Sequence, residues 1–111
     1  MAISRTLEIE EHVEDAGARL TLTGELDIAT VPRFEEAVAR ALRGSPGVLT
    51  IDLRPLGFMD SSGLRQFIVL AERAEQEGWT LALIRPAPPA LSIFKVTRAE
   101  ENLPFVDPPS L

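Results

Sequence analysis

Cysteine is absent from the chain, which excludes disulfides, thiolate metal sites and thiol redox chemistry. No apolar run approaches the roughly 18 residues that a membrane span requires. The opening residues, Met1-Ala2-Ile3-Ser4-Arg5, lead into alternating residues rather than a signal-peptide hydrophobic region. A cytoplasmic location without membrane contact is therefore expected. A clustered basic stripe is missing too: eleven cations are scattered along a chain of net charge −6, which argues against direct binding of nucleic acid. The negative balance serves solubility and permits a polar protein partner without requiring one. The single histidine, His12, falls in or beside the first hairpin, as a solvent-exposed turn residue, and no G-x-S-x-G elbow exists. A serine hydrolase would thus lack its base. Neither G-x-x-x-x-G-K-[ST] nor G-x-G-x-x-G occurs, so no phosphate-cradling loop is in sight. The expectation is a protein that is not an enzyme and carries no cofactor or metal of its own.

What is present fits one globular domain over residues 1–111: 45% of residues are apolar and 25% charged. Residues 6–10 alternate, with Leu7 and Ile9 on one side and Glu8 and Glu10 on the other, the period of a half-buried strand. A second strand over residues 19–23 puts Leu20 and Leu22 toward the core, and Glu14-Asp15-Ala16-Gly17 supplies the turn of an antiparallel hairpin. Thr30 is a candidate N-cap with Pro32 in the first turn of a helix carrying Val31, Phe34, Val38, Ala41 and Leu42, ended by Gly44. The run over residues 48–53 is β-branched and apolar, as expected of a central strand paired parallel to an earlier one. A second helix begins near Leu64, with Leu64, Phe67, Ile68 and Ala71 on one face, and Gly78 stops it. A buried strand over 79–84, a short helix opened by Pro88-Pro89 through Val96, and a last strand over 103–106 complete the order, with a loose tail over 107–111. The fold class is α/β, a mixed β-sheet with amphipathic helices packed on it.

The stretch Phe58-Met59-Asp60-Ser61-Ser62-Gly63-Leu64 lies between the strand at 48–53 and the second helix. A helix N-terminus leaves backbone N–H groups unpaired and carries a partial positive charge, so it favours side-chain oxygens and anions. The plain structural account is that Asp60 or Ser61 is the N-cap and the other small residues complete a turn. Upstream, Gly24-Glu25-Leu26-Asp27 also follows a strand and precedes a helix. If the two strands run parallel, both loops share one edge of the sheet, the usual functional edge of this architecture. Asp27, Asp52 and Asp60 are the candidates for an acidic metal or phospho-acceptor site, but Asp52, inside an alternating strand, reads better as a residue hydrogen-bonded at the sheet end.

With GELD, then IDLRPLGFMDSSGL, a helix, LALIRP and a final helix, nearly the whole chain resembles the STAS domain of anti-sigma factor antagonists. The resemblance implies a module that binds an anti-sigma factor when unphosphorylated and so frees a sigma factor. That partner is also a serine kinase, which brings its own ATP and phosphorylates the second serine of DSSG, here Ser62; a phosphatase would reset it. It further implies a partner-facing surface formed by Asp27, Asp60, Ser61, Ser62 and Gly63. Similar domains also serve as scaffolds in stress-sensing assemblies or as subunits of lipid transporters, the alternative reading. One departure stands near the end: many relatives have Thr-Gly-Leu where this chain has Thr97-Arg98-Ala99, which puts the last turn of the third helix in doubt. A phosphate adds about −1.5 to −2 charges, and a helix N-terminus stabilises an anion by roughly 0.3–2 kcal/mol, so the modified fold is expected to survive.

Overall fold

In the computed structural model, which describes residues 6–15 and 17–109, the alternation at the start of the chain becomes a hairpin. Strand β1 (Leu7–Glu14) pairs antiparallel with β2 (Gly17–Leu26), Ile9 opposite Leu22 and His12 opposite Arg19. Both strands run beyond the alternating segments, and His12, expected in the turn, stands within β1. An outer strand tolerates the charged run Glu10-Glu11-His12, because its unpaired edge faces water. Ala16 of the expected turn, Met1 to Arg5, and Ser110 and Leu111 of the expected tail lie outside the described residues. Asp107 to Pro109 are exposed and outside regular structure.

Helix α1 (Val31–Leu42) leads to β3 (Val48–Asp52), which lies parallel to β2 as its apolar run implied. A short strand that the sequence pattern did not mark, β4 (Leu56–Met59), then pairs parallel with the last residues of β2, Leu26 opposite Met59. Only Leu56 and Met59 of it are buried, so its four residues show no clear strand period. Helix α2 (Ser61–Glu77), β5 (Thr80–Ile84), α3 (Ala90–Val96), a 3-10 turn (Ala99–Glu101) and β6 (Phe105–Val106) follow. The strand order is β1-β2-β3-β5-β6, with β4 beside β2 off this path. Each crossover, through α1, α2 and α3, advances the sheet in the same direction. Right-handed connections that all advance one way place their helices on one face.

That face holds the core. Leu20 and Leu22 of β2, Leu49 and Ile51 of β3, and Leu81 and Leu83 of β5 are buried against the helices. Phe34, Phe67, Phe94 and Phe105 form a chain of ring contacts, at 5.4, 6.1 and 5.1 Å between centroids, that ties α1, α2, α3 and β6 together. The opposite face carries Arg19, Thr21, Thr50 and Asp52, the polar half of the strand alternation.

Helix α2 departs from its expected face. Leu64 and Phe67 are buried, but Leu70 and Ala74 complete the buried stripe, while Ile68 is 41% exposed and Ala71 half-buried. The sheet accepts a narrower stripe than the apolar residues of α2 offer, and the surplus turns sideways toward the segment after α3. The doubt at Thr97-Arg98-Ala99 has a structural counterpart: Arg98 adopts the left-handed conformation (φ 61°) that glycine takes without steric cost. Gly78 ends α2 in the same conformation (φ 80°), as expected.

Candidate functional site

An aspartate ends β3 and another directly follows each of β2 and β4, and each of the three makes the same local bond. Asp27 Oδ1 accepts from the backbone N–H of Ala29 (3.0 Å), Asp52 Oδ1 from that of Arg54 (3.1 Å), and Asp60 Oδ1 from that of Ser62 (2.9 Å). A short carboxylate reaching two residues ahead is how the chain closes a turn at a strand end without a glycine. The three aspartates differ in what they do next.

Asp27 is 3% exposed, and its Oδ1 also accepts from Thr30 N–H (3.1 Å). The Thr30 hydroxyl donates to the Glu25 carbonyl (2.8 Å) and accepts from Asp27 N–H (3.0 Å). Thr30 sits at the N-cap position of α1, yet its hydroxyl turns back into the loop instead of capping the helix. Asp27, expected on a partner-facing surface, is instead buried and hydrogen-bonded beneath its own loop.

Asp52 pairs with the Arg54 guanidinium through both oxygens, at 3.0 and 2.7 Å. Burial pushes the Asp52 carboxyl up, but hydrogen bonds and charge from Arg54, helped by the charge of Arg19, outweigh this and hold it below its ordinary value. The residue is fixed at the sheet end, as its place in the strand implied.

Asp60 is the N-cap of α2: its Oδ1 also accepts from Gly63 N–H (3.2 Å), and its carbonyl accepts from Leu64 N–H (3.1 Å). The helix starts at Ser61, three residues earlier than its apolar pattern marked, because this cap engages the second and third helical residues. Both serines thus lie inside the first turn, Ser61 exposed and Ser62 half-buried. Ser62 Oγ makes no hydrogen bond within the described structure. Gly63 is buried beneath the surface, where an added Cβ would stand 2.6 Å from Met59 Cγ and 2.9 Å from the Leu26 carbonyl oxygen. Its lack of a side chain lets α2 meet the ends of β2 and β4. The two loops are joined directly by Asp60 N–H donating to the Leu26 carbonyl (3.3 Å), so the shared edge expected from the sequence is formed.

Two residues without an assigned role in the sequence stand beside this edge. Ile28, 77% exposed, and Phe58, 39% exposed, flank Asp60 around a shallow depression of about 250 Å³. Apolar residues directly adjoining each polar motif were the signal for them. His12 lies far off: it pairs with Arg19, seven residues before the end of β2, or about 23 Å along a strand. Among the described residues no three His, Asp or Glu side chains come together to hold a metal, and no helix is long and apolar enough to cross a membrane.

A family profile described as "Mlab, STAS domain" matches residues 9–107. The chain belongs to the STAS domain family. It is 33% identical over 75 residues to the anti-sigma-F factor antagonist RsfB of Mycobacterium tuberculosis, covering 68% of this chain and 57% of that protein. The chain thus spans little more than half the length of that relative. Among solved structures, an anti-sigma factor antagonist from Mycobacterium paratuberculosis superposes with a TM-score of 0.77 at 24% identity, covering 100% of this chain and 92% of the other. The phosphorylated form of the Bacillus cell fate determinant SpoIIAA gives 0.68 at 22% identity, over 95% and 93%. Both carry the same STAS fold, a mixed sheet with helices packed against it.

Proposed function

We propose that this STAS domain is an anti-sigma factor antagonist, a regulatory binding module and not an enzyme, acting in the cytoplasm. Its unphosphorylated form binds an anti-sigma factor and so releases a sigma factor. The anti-sigma factor is also the kinase, bringing ATP and phosphorylating Ser62, and a phosphatase restores the hydroxyl. The observation that carries the reading is the Ser62 hydroxyl, accessible in the first turn of α2 and not engaged by the fold. It stands at an edge shared with the GELD loop, where Ile28 and Phe58 offer an apolar rim for a partner. Asp27 and Gly63 support that surface from within; Asp60, Ser61 and Ser62 face it.

The cap explains how a phosphate would act. Asp60 already occupies the N–H groups of Ser62 and Gly63, leaving fewer donors for an anion than a bare helix N-terminus provides. A phosphate on Ser62 would therefore sit beside a carboxylate. Desolvating it there against a partner costs several kcal/mol, on the order of a hundredfold in affinity, while a position in the first helical turn, outside the core, spares the fold. The test is incubation with candidate kinases from the same organism and ATP, with phosphate located by mass spectrometry. Loss of the phosphate in Ser62→Ala is expected; phosphate that persists on another residue overturns the assignment. A second reading, a STAS subunit of a stress-sensing or lipid-transport assembly, is kept open by the Mlab-type profile. Copurification with a transport ATPase or within a megadalton particle would identify it.

A further inference from the structure

The surplus apolar residues of α2 have a destination. Ile68, Ala71 and Trp79 form one wall, and Leu103 with the segment after α3 the other, of an open groove of about 830 Å³. On the α2 side the groove is lined by residues from Leu64 to Glu75, about 16 Å of helix or three turns, and Trp79 continues it past the helix end. Its rim is acidic: Glu72 and Glu75 stand on α2 and Glu101 on the 3-10 turn. The cation among the lining residues, Arg98, is already turned to Glu101 at 3.4 Å. Three carboxylates against one guanidinium leave the rim net negative. The groove lies along the side of α2, whereas the Ser62 loop occupies its tip.

We propose that this groove receives an amphipathic helix of a partner protein, with apolar residues at i, i+3/i+4 and i+7 and lysine or arginine along both polar edges. The length of the groove fits three to four helical turns, its floor fits the apolar stripe, and its rim selects the charge. A second contact surface of this kind would let one partner read Ser62 while another segment is held beside it.

Trp79 is the only tryptophan, and its indole N–H donates to Glu77 Oε1 (3.0 Å) at the end of the groove, so its emission reports occupancy. The probes are a 16-residue leucine/lysine peptide of helical periodicity, its leucine/glutamate counterpart, and a scrambled leucine/lysine peptide of identical composition. Saturable change in Trp79 emission with the first peptide alone is expected, with amide shifts confined to α2 and residues 97–104. Ile68→Gln, at an exposed helical position, should weaken it about fivefold, and Glu72→Gln with Glu75→Gln by a similar factor. Ser62→Glu should leave it unchanged, which separates this surface from the serine edge. Equal binding of the scrambled or acidic peptide overturns the proposal. So does indifference to Ile68→Gln, or sedimentation showing that a second copy of the chain fills the groove.

Discussion

The two loops at the carboxyl edge of the sheet begin alike and end differently. Asp27 and Asp60 each accept from the N–H groups two and three residues ahead, so both turns are closed by the same carboxylate geometry. In the GELD loop the neighbouring hydroxyl, Thr30, is consumed by the fold, 2% exposed and bonded at both its donor and acceptor sides. In the DSSG loop the neighbouring hydroxyl, Ser62, is left out of the network. One loop is held fixed by its hydroxyl, and the other keeps a hydroxyl that the proposed phosphorylation would change without disturbing what holds the turn. A switch of this kind needs a group that contributes little to stability and much to the surface.

The largest effect that sharpens this contrast comes from removing each hydroxyl. Thr30→Val should cost about 2 kcal/mol in denaturant unfolding, because it removes the buried hydroxyl that bonds the Asp27 N–H and the Glu25 carbonyl; Ser62→Ala should stay within about 0.5 kcal/mol. Equal losses would break the comparison. Asp60→Ala should cost about 1 kcal/mol, the usual worth of a lost N-cap at a partly solvated helix end. Away from both loops, Arg98→Gly should raise stability by about 0.5–1 kcal/mol by relieving a left-handed residue, which shows as a higher denaturant midpoint with unchanged slope. The smallest effect concerns the third aspartate. The folded-state value of Asp52 lies below the ordinary 3.8, so its contribution is present above that pH and is lost as pH falls through and below it. Asp52→Asn should therefore flatten the acid limb of a melting profile.

Much of this was legible in the order of elements. The alternation of β1 and β2, the apolar run of β3 and the periodicity of α1 and α2 each follow from burial on one face, which sequence records directly. β4 was not legible, because four residues with buried ends and an exposed middle match no period. The apolar pattern marks the start of α2 three residues late, since polar residues in a first turn carry no apolar signal and only the cap geometry places them. The spacing of Ile68 fits a core position; whether a helix buries a wide or a narrow stripe depends on the packing partner. At the edge itself, the sequence marked Asp27 and Asp60 alike, and only burial separates the one that supports the surface from the one beside it.

The most direct measurement takes the chain phosphorylated on Ser62 and compares it with the unmodified chain twice, in thermal unfolding and in binding to the proposed anti-sigma factor partner. The account predicts a melting temperature moved by only a few degrees, together with affinity lower by about a hundredfold. Unchanged affinity, or a fall in affinity matched by collapse of the fold, would contradict it.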